Sequence, residues 1–255
     1  MIKKIRNSDI DNERLSKILI PIDNALKDFD FSNIVIEKPW GYEYLLYENK
    51  NASIWVLHIK HDCLTSMHCH LNKKTALILL SGEAVFTTLE QGFNLKEGDA
   101  IILDKKVFHS TQALSQEGIM LMEIETPSQK TDLLRLSDNY GRQLKGYESQ
   151  DAASKNILNY NYISFNNNEY GIKKRIKNVE ISLEKFSDFT LARNYFRKIN
   201  NGIAIILNGR LLNDDNGYIF SIGDILDISL LNEGDHNYII PESLEVLNIG
   251  KYGSH

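Results

Sequence analysis

Three of the seven histidines are spaced in a way that suits a metal ion. The stretch SMHCH carries His68 and His70, and KKVFHS carries His109. On a β-strand, residues i and i+2 point to the same face, so His68 and His70 project together. A third imidazole from a strand about 40 residues later would close a facial site. Neutral imidazole is a ligand for zinc, iron, nickel or copper. A histidine standing alone is more often an ordinary surface or core residue, and His58, His61, His236 and His255 are read that way. His58 shares the parity of the pair but sits beyond an expected turn at 61–64. Cys69 lies between the two histidines, so alternation sends it to the opposite face as a buried structural thiol. Cys63, near the turn, carries no particular chemistry.

Other residue types extend the possible chemistry. Glu123 and Glu125, in MLMEIET, share one parity. They are candidates for an inward carboxylate that ligates or carries a proton, and equally for ordinary strand charges. Lys73 and Lys74 follow the histidine pair, where they would meet an anionic substrate or simply face water. Arg135 and Arg142 offer the planar donor fork that suits phosphate or carboxylate, although Arg142 could instead pair with Asp138. Trp40 and Tyr42 could stack on a sugar ring or pack at a barrel rim.

The elements that position these residues read as β-structure. EYLLYE, SIWVLHIK, TALILLSG, EAVFTTLE, DAIILD and GIMLMEIE are short runs rich in branched and aromatic residues. Strands recurring this often, with Gly82, Gly92 and Gly98 at the turns, indicate an all-β sandwich or barrel. Ahead of them, residues 12–28 place Leu15, Ile18, Leu19, Ile22 and Leu26 near a 3.6-residue period, interrupted at Pro21. One or two short helices are expected there. Residues 128–178 are polar, with helix-compatible pieces in TDLLRLSD and QDAASKNILN. The β texture then returns in KNVEISLEKF, GIAIILNG, GYIFSIGDILDIS and LEVLNIG. TALILLSGEAVFTTLEQGFNLKEGDAIILD lines up with IAIILNGRLLNDDNGYIFSIGDILDIS, down to a shared Gly-Asp turn. The expected organisation is an N-terminal helical segment (1–33), a metal-binding barrel (34–128), a connector (129–178) and a degenerate second barrel (179–255). In the second barrel the counterpart of SMHCH falls at LARNYFRK, where Asn194 and Phe196 stand in the histidine places.

Bulk properties narrow the function classes. The chain has 255 residues and a net charge of -5, with basic residues scattered rather than striped, so nucleic acid is not an expected partner. No apolar run approaches the roughly 18 residues of a membrane span, and the N-terminal stretch does not read as a signal peptide. Two cysteines cannot make a disulfide framework, which points to a cytoplasmic setting.

TSMHCHLNKKTALILLSG followed by LKEGDAIILDKKVFHS resembles the two sequence motifs of the cupins, the first of the form HxH-(x)4-E-(x)6-G. EKPWGYEYLL and DLLRLSDNYGR are similar to the leading and closing segments of cupins of the mannose-6-phosphate isomerase type II group. The resemblance spans residues 36–142. It implies a double-stranded β-helix (jelly-roll) fold, two barrels in tandem with short helices, and a divalent metal (zinc, iron, manganese or nickel) on His68, His70 and His109. It also implies an isomerase or epimerase of a phosphorylated or nucleotide-linked sugar, with a role in surface polysaccharide biosynthesis. In that reading Glu123 and Glu125 are the catalytic candidates, and Trp40, Tyr42, Lys73, Arg135 and Arg142 the substrate-binding ones. A homodimer is expected, because such barrels expose sheet edges that dimerisation covers. One departure stands out: the motif's glutamate is Thr75 here. Threonine brings neither charge nor a good ligand oxygen. The metal would then sit on three histidines as in some iron dioxygenases, or recruit another carboxylate, or be lost to leave a sugar-binding or regulatory module.

Overall fold

The computed structural model describes residues 1–18, 29–143, 145–148, 150–199, 202–213, 217, 219–232 and 238–251. The chain forms two compact units. One comprises Met1–Glu48 with Ser53–Ser164, and the other Asn49–Ala52 with Phe165–His255.

The first unit contains β1 (Ile2–Ile5), α1 (Asp9–Ser16), β2 (Val35–Lys38), β3 (Gly41–Glu48), β4 (Ser53–Ile59), β5 (Met67–Cys69) and β6 (Lys74–Ser81). It continues through β7 (Glu83–Thr88), β8 (Gly92–Lys96), β9 (Ala100–Leu103), β10 (His109–Ala113), β11 (Ile119–Thr126), β12 (Leu134–Ser137) and β13 (Ala153–Ser154). These strands form an eight-stranded sheet, β1-β9-β6-β11-β4-β3-β2-β13, and a five-stranded sheet, β12-β5-β10-β7-β8. From β5 onward the chain repeatedly switches sheets. That switching, with antiparallel pairing, is the double-stranded β-helix expected from the sequence. Alternation aims Leu57, Leu77, Leu79 and Leu121 of the large sheet at Ala84, Phe86, Leu95 and Ala113 of the small one, and all are buried in one cluster.

Three local expectations change. The N-terminal segment is not purely helical: β1 pairs in parallel with β9, covering an edge that IKKI alone is too short to announce. Helix α1 starts at a capping box in which Ser8 and Asp11 satisfy each other's backbone amides. Leu19, Pro21, Ile22 and Leu26 lie outside the described residues. In TDLLRLSD the structure holds a strand instead of a helix, β12, because β5 offers an open edge and Leu134 packs with Cys69 and Phe108. QDAASKNILN forms two single 3₁₀ turns around the two-residue strand β13.

The second unit runs β14 (Lys173–Ile176), β15 (Val179–Phe186), α2 (Phe189–Phe196), β16 (Gly202–Asn208), β17 (Leu211–Asn213), β18 (Ile219–Phe220), β19 (Ile225–Asp227), α3 (Ile228–Asn232), β20 (Tyr238–Ile239) and β21 (Leu244–Lys251). Its sheets are β14-β15-β21-β16-β19 and β18-β17-β20. The first follows the order β3-β4-β11-β6-β9 of the other unit, and the second the order β8-β7-β10. The aligned Gly-Asp turns also share their bonding. Gly98 N–H donates to Leu79 O at 2.8 Å, and Gly223 N–H to Ile206 O at 2.8 Å. In the chain position of β5 the second unit carries the helix α2, with Asn194 and Phe196 on it.

Candidate metal centre

Strands β5 and β10 are hydrogen-bonded neighbours, and their register sets His109 directly opposite His68. His70 follows at the end of β5. The three ring centroids lie 4.4 to 5.4 Å apart, and one potential ligand atom from each ring lies within 4.8 Å of the others. Each imidazole is oriented through its Nδ1, which faces a backbone carbonyl: Ser66 O at 2.7 Å for His68, Asp132 O at 2.6 Å for His70, Val107 O at 3.0 Å for His109. With the Nδ1 proton committed there, the Nε2 lone pair is left for a metal. Burial, then the neighbouring His109 and His70, push the His68 pKa well below its ordinary value. Burial and His70 bring that of His109 down to about 4. At neutral pH both rings are therefore uncharged, the form that binds a cation. The Nε2 of His70 is buried and has no hydrogen-bond partner, as expected of an atom that awaits a ligand.

Two further residues brace these histidines. The Asp132 carboxylate accepts the backbone amides of Leu71, Asn72 and Lys73 at 3.0, 2.7 and 2.9 Å, which fixes the turn after His70. Asp11 of α1 accepts the Phe108 amide at 3.0 Å, one residue before His109.

Beside the histidines lies a cavity of about 50 Å³, room for a few water-sized groups. Lys38, Lys73, Lys130, Arg135 and Arg142 line it, as do Glu43, Glu123 and Glu125. Glu123 points one carboxylate oxygen toward His70 Nε2, 3.5 Å away, and the other toward Lys130 Nζ at 3.6 Å. Glu125 accepts from Lys73 Nζ at 2.7 Å and from Ser53 Oγ at 3.1 Å, and Lys130 approaches it to 3.4 Å. Burial pushes the Glu123 carboxyl up, but Lys130 and the other nearby positive and hydrogen-bonding groups outweigh it and hold the pKa well below the usual range. Lys130 also meets Glu43 at 3.3 Å and lies 4.0 Å over the Trp55 ring. Burial would lower the Lys130 pKa, but the three carboxylates around it, Glu43 foremost, raise it.

Of the sequence-predicted residues, the three histidines, Glu123, Glu125, Lys73, Trp40, Arg135 and Arg142 come together here. Lys73 is not the exposed lysine that base composition favours: it is 1% exposed. Arg135 faces inward because β12 sets it opposite His68; its two terminal nitrogens donate to Lys145 O, Gly146 O and Glu148, and its buried Nε makes no hydrogen bond. Arg142 pairs with Asp138 at 2.7 Å and also with Glu148. Tyr42 is a correction. On β3 it has the opposite parity to Glu43, so it leaves the cavity and stacks on His58 with centroids 4.9 Å apart. Lys38, Glu43, Lys130, Tyr147 and Glu148 were not anticipated. The one available cue was the parity of Glu43 with Leu45, which packs in the interior.

No protein-family model matches the sequence, and no curated protein matches it. Solved structures do show similarity. A Klebsiella pneumoniae protein with a double-stranded β-helix domain is 18% identical, over 38% of this chain and 84% of that one, with a TM-score of 0.35. A sugar phosphate isomerase of the cupin superfamily from Silicibacter pomeroyi is 10% identical, over 38% and 66% of the two chains, at 0.35. The capsular polysaccharide assembling protein CapF from Staphylococcus aureus is 13% identical, over 44% and 34%, at 0.37. Given two facing, mainly antiparallel sheets that the chain crosses between, with three histidines brought together by neighbouring strands of the smaller one, the first unit is a double-stranded β-helix, or jelly roll.

Proposed function

We propose that the protein is a metal-dependent isomerase or epimerase of a phosphorylated or nucleotide-linked sugar, and that its second unit is a degenerate repeat of the first. The observation that carries this reading is the convergence of three carbonyl-oriented imidazoles beside a charged cavity. The donor set fits zinc, iron, manganese or nickel. A bound metal would act there as a Lewis acid toward a substrate oxygen.

The chain's own residues supply the rest. Five cationic side chains against three carboxylates line the cavity, and Glu148 directly behind them adds a fourth negative charge. Asp138, paired with Arg142, brings the carboxylates level with the cations, and the lysines and arginines that line the cavity are the groups an anionic part of a substrate would meet. The buried carboxylates Glu123 and Glu125 are the groups that would exchange a proton with the carbon being inverted or oxidised. Against the effect of burial, Lys130 holds the Glu123 pKa down, and Lys73 with Lys130 does the same for Glu125. Such a lining favours proton transfer on a polar substrate over dioxygen chemistry, which has no use for it.

The test combines elemental analysis with exchange. Purified protein should carry near-stoichiometric metal that is lost in His68→Ala and in His109→Ala. In D₂O it should wash deuterium into the carbon next to the carbonyl of one sugar phosphate in a panel followed by proton NMR. Protein that stays metal-free after reconstitution would sink the reading. Metal binding without exchange on any member would leave a binding module instead.

A further inference from the structure

We infer that Glu123 supplies the metal centre with the carboxylate that Thr75 no longer provides, so that the ligand has moved from β6 to the neighbouring strand β11. The assignment deepens the metal-centre reading above and rests on it, and it leaves Glu125 as the carboxylate free of the metal.

The motif position itself is empty of charge. Thr75 is 2% exposed, and its hydroxyl oxygen is buried without a hydrogen-bond partner. Strand β11 runs alongside β6 with Glu125 opposite Thr75 and Glu123 opposite Leu77. A carboxylate on β11 therefore emerges one strand away from the lost one. Both glutamates share the parity that faces the cavity.

Geometry separates the two. The oxygens of Glu125 are already engaged, Oε1 by Lys73 and Lys130 and Oε2 by Ser53. Glu123 has Oε2 facing Lys130 and Oε1 facing His70 Nε2. The 3.5 Å between Oε1 and Nε2 is long for a hydrogen bond, and Nε2 has no hydrogen-bond partner. It does match two donors that share one ion. Zinc–nitrogen and zinc–oxygen bonds of about 2.0–2.2 Å at a tetrahedral angle set the two donor atoms about 3.4 Å apart. A lysine on the distal oxygen also leaves Oε1 as the one donor that Glu123 can offer.

Metal affinity and visible absorption of the cobalt-loaded protein test this without reference to turnover. The chain is stripped with a chelator and titrated with Co²⁺, and Zn²⁺ affinity is measured by competition with a chromophoric chelator. In Glu123→Gln, Zn²⁺ affinity should fall about 100-fold or more, beyond the 10- to 100-fold range for groups that only support a ligand, and the cobalt spectrum should change. Adding Thr75→Glu to that variant should restore affinity by returning a carboxylate to β6, which a merely structural loss would not permit. Thermal melting of each apo protein controls for folding. If Glu123→Gln keeps both wild-type affinity and spectrum, the inference is overturned while the three-histidine centre stands. If the wild type itself takes up neither ion, both readings fail.

Discussion

The ion pair between Lys73 and Glu125 is sealed from water, with side-chain exposures of 1% and 0%. Taking two charges out of water costs several kcal/mol each, so the pair is not evidence of net stabilisation. Its removal by halves is another matter. Lys73→Met leaves Glu125 with Lys130 at 3.4 Å and Ser53 as its remaining partners, and should cost about 3–5 kcal/mol in urea unfolding. Lys73→Met with Glu125→Leu should recover most of that loss. If the double variant is as unstable as the sum of the two single ones, the charges are not coupled as the 2.7 Å contact implies. At this scale the histidines were legible in the sequence, because their parity and spacing encode a shared face. Lys73, Lys130 and Lys38 were not, since a lysine reads as solvated unless its partner is known: the Lys73 partner Glu125 lies 52 residues away, and Lys38 pairs both with nearby Glu43 and with Glu148, 110 residues away.

Both units turn the corner after a central strand in the same way. The β6–β11 pairing slips in register beside Leu79, and the β16–β21 pairing slips beside Ile206. A glycine with positive φ follows each, Gly82 at +88° and Gly209 at +81°. A bulge with a left-handed residue bends the strand so the next one can enter the opposite sheet. At Gly209 a Cβ would lie 2.0 Å from the carbonyl oxygen of Ser243, whereas at Gly98, with φ of +87°, it would meet nothing within 4 Å. Gly98→Ala should therefore cost only the conformational penalty of about 1–2 kcal/mol. Gly209→Ala must also push backbone apart and should cost distinctly more, measured as the loss of unfolding free energy. Equal losses would mean that Ser243 yields freely. The strands flanking these turns, TALILLSG and IAIILNG, could be read from composition. TDLLRLSD could not, because Leu134 and Leu136 suit a short helix as well as a strand. Its conformation is decided by the free edge of β5, a partner that local pattern does not reveal.

Across the first unit as a whole, charge ties distant segments together. Glu148 accepts from Lys38 at the end of β2, from Arg135 of β12 and from Arg142 in the segment before it. The two-barrel reading of the sequence anticipated strands in the same places as β6 and β16, and β9 and β19, but not this network, which has no periodic trace. Its pH behaviour follows from the carboxyl. Burial alone would raise the Glu148 pKa, but Lys38 and Arg135, with Arg142, bring it down to about 2 from an ordinary 4.5. A group whose folded pKa is depressed binds fewer protons in the native state than in the unfolded one between those two values. Its stabilisation is therefore complete above about pH 4.5 and is lost as the pH falls through 2. The difference corresponds to roughly 3 kcal/mol at about 1.4 kcal/mol per unit. Glu148→Gln should lower stability at pH 7 by at least that amount, since it also leaves Arg135 without a carboxylate partner and Lys38 and Arg142 with one each, Glu43 and Asp138, and should flatten the acid limb of the stability curve. Denaturant unfolding of both proteins at intervals from pH 7 to 2.5 would test it. Curves that converge toward the acid end support the assignment, and curves that stay parallel would mean that Glu148 carries no pH-dependent share of the fold.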